Sequence, residues 1–145
     1  MVNLPEELNL LKRFHGHLGP YVVIGYRMGS MARETLDGKL RAVSYTGSTT
    51  PLSCIIDGVQ FSSSCTMGKG NIAVMEVGEA KVQFLNDKYL MEIRLRDDVK
   101  LKIDESTTRE TEELIALGIY DEPENNLFII TKVERTPYER TVKLK

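Results

Sequence analysis

The sequence predicts a single α+β domain, a largely antiparallel sheet packed with helices. Three observations carry this prediction. Apolar residues recur at helical spacing in two stretches before residue 37. Short runs rich in Val, Ile, Leu and Phe, bounded by Gly, Asn and Asp, follow beyond residue 39. No repeat, low-complexity tract or Pro/Gly/Ser linker divides the 145 residues, a length that fits one domain and buries roughly two-thirds of its unfolded surface.

The first expected helix covers 5–14. Pro5 suits its first position, Glu6 and Glu7 suit the positive end of its dipole, and Leu8, Leu11 and Phe14 form its apolar face. Gly16 and Gly19 break the chain and leave His15 and His17 in a tight loop. A second helix is expected from Pro20 to about Leu36, with Val23, Ile24, Met28, Met31 and Ala32 inward. Gly25 and Gly29 share one face of it. Interior glycines cost a helix about 1 kcal/mol each, so close backbone contact is expected to compensate there. Asp37-Gly38 is the stop.

A strand over 40–45 and a polar turn over 46–50 come next. Pro51 starts a short helix, 52–61, with Cys54, Gly58 and Phe61 on one stripe and Asp57 beside them. The loop over 62–71 leads to strands at 72–77, 81–85 and 88–95. Turns at Gly78-Glu79 and Asn86-Asp87 predict that these three form an antiparallel meander. Thr107 and Glu110 have capping-box spacing ahead of a helix running to Leu117, with Gly118 as its stop. A last strand covers 127–133. The basic tail, 135–145, is free to fray or to dock on a partner chain.

The formal net charge is -2 and the pI about 5.8, which gives no reason to expect a nucleic-acid or polyanion partner. No apolar run approaches the roughly 20 residues that span a bilayer. Residues 1–7 have neither the basic region nor the apolar core of a signal peptide, so a cytoplasmic protein is expected. In that compartment two cysteines are reduced thiols or metal ligands rather than a structural disulfide.

Four groups of residues carry candidate chemistry. His15 and His17, one glycine apart, can present two imidazoles to a divalent metal, but such a pair needs a further ligand. The alternative is that one caps the next helix or packs on Phe14 while the other is solvated. Cys54, in the first turn of its helix, is a candidate ligand or nucleophile because the helix dipole favours thiolate. A small buried core residue is the competing reading. Asp57, one turn on, suits a partner to a metal ligand or a general base, or is a solvated carboxylate. Cys65 is followed by Gly68-Lys69-Gly70-Asn71, where backbone freedom, exposed amides and one cation suit an anion. That loop also reads as a connector into the next strand, and its glycine spacing is not that of a Walker A loop. Cys54 and Cys65 could also form a redox pair, though without the Cys-x-x-Cys arrangement. Tyr21, Tyr26 and Arg27 are candidates to line a pocket beside the histidines.

Two blocks resemble a known family. Phe14-His15-Gly16-His17-Leu18-x-Pro20 with Ile24-Gly25-Tyr26-Arg27-Met28-Gly29 is similar to the opening motif of the FmdE family, named for an operon association with molybdenum formylmethanofuran dehydrogenase. Cys54-x-x-Asp57-Gly58-x-Gln60, then Cys65-Thr66-x-Gly68-Lys69-Gly70-Asn71, resembles its second motif in order and spacing. The similarity covers about residues 10 to 95. It implies an α+β domain, usually a homodimer, with a site where histidine and cysteine meet and a metal binds. Many members carry a cysteine where this chain has Gly19, and many carry a C-terminal zinc ribbon, whereas no cysteine follows Cys65 here.

The leading expectation is a metal-dependent enzyme or accessory protein. Its ligands would come from His15, His17, Cys54 and Cys65, with zinc suited to such a mixed set. Cys54, Asp57 and Lys69 would act on a small molecule whose anionic group is held by Lys69, Gly68, Gly70 and Asn71. The alternative is a non-catalytic dimeric module that binds a cofactor or a subunit of a larger complex, of the molybdenum formylmethanofuran dehydrogenase type. A thiol-redox protein using Cys54 and Cys65 is a third reading.

Overall fold

The structure, a computed structural model, describes residues 3–136. The first helix, α1 (Glu6–His15), buries Leu8 and Leu11 and ends at Gly16, whose φ of 103° places it in the left-handed region that glycine adopts at least cost. Helix α2 (Pro20–Thr35) starts with proline at its first position and is buried over much of its length. Strand β1 (Arg41–Ser44) leads through a turn to α3 (Cys54–Ser63). A short 3₁₀ turn (Met67–Lys69) then precedes β2 (Ile72–Val74), β3 (Lys81–Leu85) and β4 (Tyr89–Leu95). The chain closes with α4 (Asp97–Ser106), α5 (Glu112–Asp121), α6 (Glu124–Leu127) and β5 (Phe128–Glu134).

These strands form one five-stranded sheet in the order β2-β1-β3-β4-β5. It is antiparallel except at β1–β2, so the α+β expectation holds. Alternation sorts its two faces. Val82, Phe84, Met91, Ile93 and Leu95 point into the core, with Val82 opposite Ile93 and Phe84 opposite Met91. The other face is mixed: Lys81, Gln83, Glu92 and Arg94 share it with Val43, Leu85 and Leu90, and Glu79 pairs with both Lys81 and Arg94.

The expected meander is wrong in one strand. β2 does not pair with β3; it lies parallel to β1 on the opposite edge, with Ala42 beside Ile72. The reason is the intervening α3, which returns the chain in the sense a β-helix-β crossover requires. Residues 75–79 then loop past the end of β1, where Met75 and Glu79 donate to Ser44 and Tyr45 carbonyls. The Asn86 turn is as expected: its side-chain oxygen accepts from the amides of Lys88 and Tyr89.

The second discrepancy is α4, which has no counterpart in the sequence reading. Its apolar side is thin, with only Ile103 buried, so its charged sequence hides the helical period. Thr107 therefore closes α4 rather than opening the next helix, its hydroxyl donating to the Ile103 carbonyl. α5 starts at Glu112, after a turn bonded through Thr108 and Thr111, and passes through Gly118 to Asp121. Of the tail expected to fray or dock, Arg135 is buried and donates to the Lys88 and Asn86 carbonyls through its amide and guanidinium. Residues 137–145 lie outside the described residues.

The tightest packing is between α2 and α3, and three glycines set it. A Cβ on Gly25 would meet the Ile55 carbonyl oxygen at 2.1 Å, and one on Gly58 would meet that of Val22 at 2.1 Å. A Cβ on Gly29 would lie 2.0 Å from Ser62 Oγ. Backbone lies against backbone, which explains why glycine persists in helix interiors here. Cys54, one turn before Gly58, is thereby delivered to the histidine turn.

Candidate metal centre

His15 is the last residue of α1, and the left-handed Gly16 swings the chain back so that the His15 and His17 rings stand 4.7 Å apart. α3 supplies the third group. One ring nitrogen from each histidine and Cys54 Sγ all lie within 4.8 Å of one another. This is the His/Cys combination read from the sequence, less Cys65.

His15 Nδ1 lies 2.6 Å from Asp57 Oδ2. A carboxylate only accepts, so Nδ1 carries a proton, and in the neutral imidazole Nε2 is then the nitrogen with the lone pair. Among the described residues, that Nε2 is the one buried side-chain nitrogen or oxygen with no hydrogen-bond partner. An unpartnered buried group of this kind costs about 1–3 kcal/mol. His17 is the more open of the two, its side chain 51% exposed, and its Nδ1 lies 3.2 Å from Glu112 Oε2. Each imidazole is thus held at one nitrogen by a carboxylate, the arrangement that fixes tautomer and orientation in metal-ligating histidines. Asp57 is itself positioned by Gln60, whose amide donates to Oδ1 and whose carbonyl accepts from the Met67 amide.

The set fits a divalent metal. Zinc bond lengths of about 2.0–2.3 Å put tetrahedral ligand atoms roughly 3.4–3.6 Å apart. The observed spread therefore closes with side-chain shifts of about 1 Å. Three protein ligands leave a fourth position for water or substrate, as in catalytic zinc sites. The sequence expectation for Cys54, a thiol acidified by the helix dipole, is reversed. Burial, Asp57 and Glu112 push the thiol up. The amides of Cys54, Ile55 and Ile56 are already bonded to the carbonyls of Pro51, Leu52 and Ser53, so little of the helix terminus remains to stabilise thiolate. A bound cation overrides this, because coordination deprotonates a thiol outright.

The cluster opens on a cavity of about 310 Å³. His17 and Cys54 lie on it together with Tyr21, Asp104, Arg109 and Glu112. The Tyr21 hydroxyl donates to Asp104 Oδ1, and Lys100 Nζ donates to Oδ2 at 2.8 Å. Burial, then the Asp104 carboxylate, push the Tyr21 phenol well above its usual range, so it stays a donor. Burial works against the Asp104 charge, but the bonds from Lys100 and Tyr21 prevail and hold its carboxyl below the usual range. Asp104, Arg109 and Glu112 were missed from sequence because they flank the α4–α5 turn, and α4 itself was missed. The Thr107, Thr108 and Thr111 cluster was the available signal of that turn.

The other expected site residues are elsewhere. Cys65 is buried beyond the far end of α3, a helix that at 1.5 Å per residue puts about 14 Å between its ends. A disulfide needs Cα atoms within about 7 Å, so Cys54 and Cys65 are not a redox pair in this fold. Lys69 and Asn71 accompany Cys65 in a second cavity. Asn71 stitches the loop, accepting from the Thr66 amide and donating to the Leu40 carbonyl. The amides of Lys69, Gly70 and Asn71 bond to carbonyls within the loop, so they are not presented to an anion as the sequence suggested. Gly68 and Gly70 are exposed turn residues there. The Arg27 guanidinium instead caps the end of α5, donating to the carbonyls of Ile119, Tyr120 and Glu122. Tyr26 belongs to an aromatic group with Phe61 and Tyr120.

Comparison with known proteins agrees with this fold. A probable S-adenosyl-L-methionine-binding protein of Archaeoglobus fulgidus is 30% identical over 82 residues, 53% of this chain and 22% of that protein. The chain thus spans under a quarter of the length of that relative. A crystal structure of a tungsten formylmethanofuran dehydrogenase FmdE-like protein from Syntrophus aciditrophicus superposes with a TM-score of 0.69 at 19% identity. The match covers 95% of this chain and 76% of that one, and at such identity the likeness is one of fold. A family model described as FmdE, molybdenum formylmethanofuran dehydrogenase operon, matches residues 14–134. That span holds both histidines, both cysteines, Asp57 and Glu112, and this chain belongs to the FmdE family.

Proposed function

We propose that this chain is a metal-binding enzyme or accessory protein of its family, with His15, His17 and Cys54 as ligands to a divalent metal, zinc by preference. The observation that carries the reading is the buried, unpartnered His15 Nε2, whose opposite nitrogen is locked by Asp57 beside His17 and Cys54. When bound, the metal would supply Lewis acidity and an activated water at its open position. The chain's own residues would do the rest. Asp57 and Glu112 orient the imidazoles, and the Tyr21 hydroxyl, its proton engaged by Asp104, leaves its oxygen as a hydrogen-bond acceptor on the cavity wall. Arg109 gives the rim one cation for a polar small-molecule substrate. Zinc suits mixed nitrogen and sulfur ligands at a reduced, cytoplasmic thiol. No helix among the described residues is long and apolar enough to cross a membrane.

Cobalt(II) replacement tests this directly. A tetrahedral cobalt spectrum with a thiolate charge-transfer band should appear, vanish in Cys54→Ser and persist in Cys65→Ser. Absence of the band in the wild-type protein would refute the assignment.

A second reading has its own support. The A. fulgidus relative is named for S-adenosyl-L-methionine, and the cavity beside Cys54 has apolar walls at Pro20, Val22, Pro51 and Ile103. Under this reading the chain is a non-catalytic cofactor- or subunit-binding module of a formylmethanofuran dehydrogenase-type system. Saturable calorimetric binding of S-adenosyl-L-methionine to metal-free protein would favour it. We also propose a homodimer, for which β5 offers a strand edge with Ile129 and Val133 exposed.

A further inference from the structure

The second cavity, about 440 Å³, lies beyond the far end of α3 from the histidines. Three cationic side chains converge on it from separate parts of the chain: Arg33 near the end of α2, Lys39 ahead of β1, and Lys69 in the 3₁₀ turn. No carboxylate is among its lining residues. None of the three cations makes an ion pair with a described residue, although Lys12, Lys81, Arg94 and Lys100 all do. Like charges held together without counter-charges repel, and an anion would relieve that cost.

The neutral lining pairs the apolar Leu40 with polar groups. Ser63, Ser64 and Asn71 contribute, and Cys65 is almost fully buried among them. Burial pushes the Cys65 thiol up, while Ser63, Lys69, Arg33 and Arg41 pull it down. Several cations from three directions therefore act on one point inside the fold. The loop amides of Lys69, Gly70 and Asn71 are already committed, so recognition falls to the side chains. A guanidinium and two ammonium groups suit a tetrahedral, multiply charged oxyanion better than a single carboxylate.

We infer that this cavity is a phosphate-binding site, receiving inorganic phosphate or the phosphate of a small phosphorylated molecule. It is distinct from the histidine–cysteine cluster and does not depend on that cluster holding a metal.

The probe is inorganic phosphate on the full chain, with thermal unfolding and calorimetry as readouts, against sodium chloride of equal ionic strength and against acetate. The expected result is saturable stabilisation by phosphate alone. Arg33→Gln and Lys69→Gln should each weaken it about tenfold or more, the loss of one charge-assisted hydrogen bond. Both side chains are exposed, so these variants should fold, and Arg109→Gln, at the other cavity, should bind phosphate normally. A phosphorylated sugar that competes with phosphate would identify the ester as the source, and failure to compete would identify the free ion. Stabilisation matched by chloride or acetate, or left intact in both variants, would overturn the inference.

Discussion

Gly58→Ala is the substitution on which the close packing of α2 and α3 bears most directly. In an ordinary helix it would stabilise, by up to about 1 kcal/mol. Here the new Cβ would stand 2.1 Å from the Val22 carbonyl oxygen and 2.4 Å from the Tyr26 amide, where ordinary contact begins at 3.4 Å. Both neighbours are helix backbone and no rotamer change relieves them, so α3 must withdraw by about 1.3 Å, the shortfall at Val22. A gap of that size forfeits about half of the dispersion well for every atom pair across it. Overpacking costs typically 1–3 kcal/mol where side chains can yield, and these cannot. We expect a net loss of about 2–4 kcal/mol in urea unfolding of metal-free protein, and weakened metal binding as Cys54 moves off the histidines. Gly118→Ala is the internal control. That residue sits exposed in α5 with nothing within 4 Å of an added Cβ, so the same change should stabilise by up to about 1 kcal/mol. A Gly58→Ala protein within about 0.5 kcal/mol of wild type and with normal metal content would refute the reasoning.

Three further outcomes are expected. Arg27→Met should lower stability by about 2–3 kcal/mol in urea melts, because it removes a charged donor and strands the carbonyls at the end of α5. Metal affinity should rise about tenfold per pH unit through neutrality, since burial, Asp57 and Glu112 keep the Cys54 thiol protonated and the metal must displace that proton. Competition titrations at several pH values would measure this slope, and Cys54→Ser should flatten it. Gly19→Cys should tighten metal binding by an order of magnitude or more, adding a thiol next to His17. Residue 19 has an extended backbone, and its Cβ would meet the His17 ring at an ordinary 3.5 Å, so unchanged affinity would count against the site as drawn.

What the sequence disclosed follows the strength of local signals. Pro20, the apolar period of α2 and the Asn86 turn are strong short-range features, and those elements stand where the pattern put them. The pairing of β2 is a long-range property. Gly78-Glu79 looks like a hairpin turn from its residues alone, and only the helical crossover through α3 assigns β2 to the far side of β1. α4 failed for the opposite reason, because a surface helix that buries little has little periodicity to read. The site divides along the same line. His15, His17, Cys54 and Asp57 were legible because the two motifs that hold them are packed directly against each other through Gly25 and Gly58. Glu112 and Asp104 reach the cavity from about 90 residues further along the chain, and nothing local marks them. Cys65 reads as part of the same centre because eleven residues from Cys54 look like a short separation. The intervening helix, about 14 Å long, holds them at opposite ends.

The most direct test of the metal centre is elemental analysis of protein purified without affinity metal resin, for wild type, His17→Ala, Cys54→Ser and Cys65→Ser in parallel. The account predicts near-stoichiometric divalent metal in wild type and in Cys65→Ser, and its loss in the other two while all four remain folded. Metal-free wild type that stays folded, or metal lost from Cys65→Ser and kept in Cys54→Ser, would contradict it.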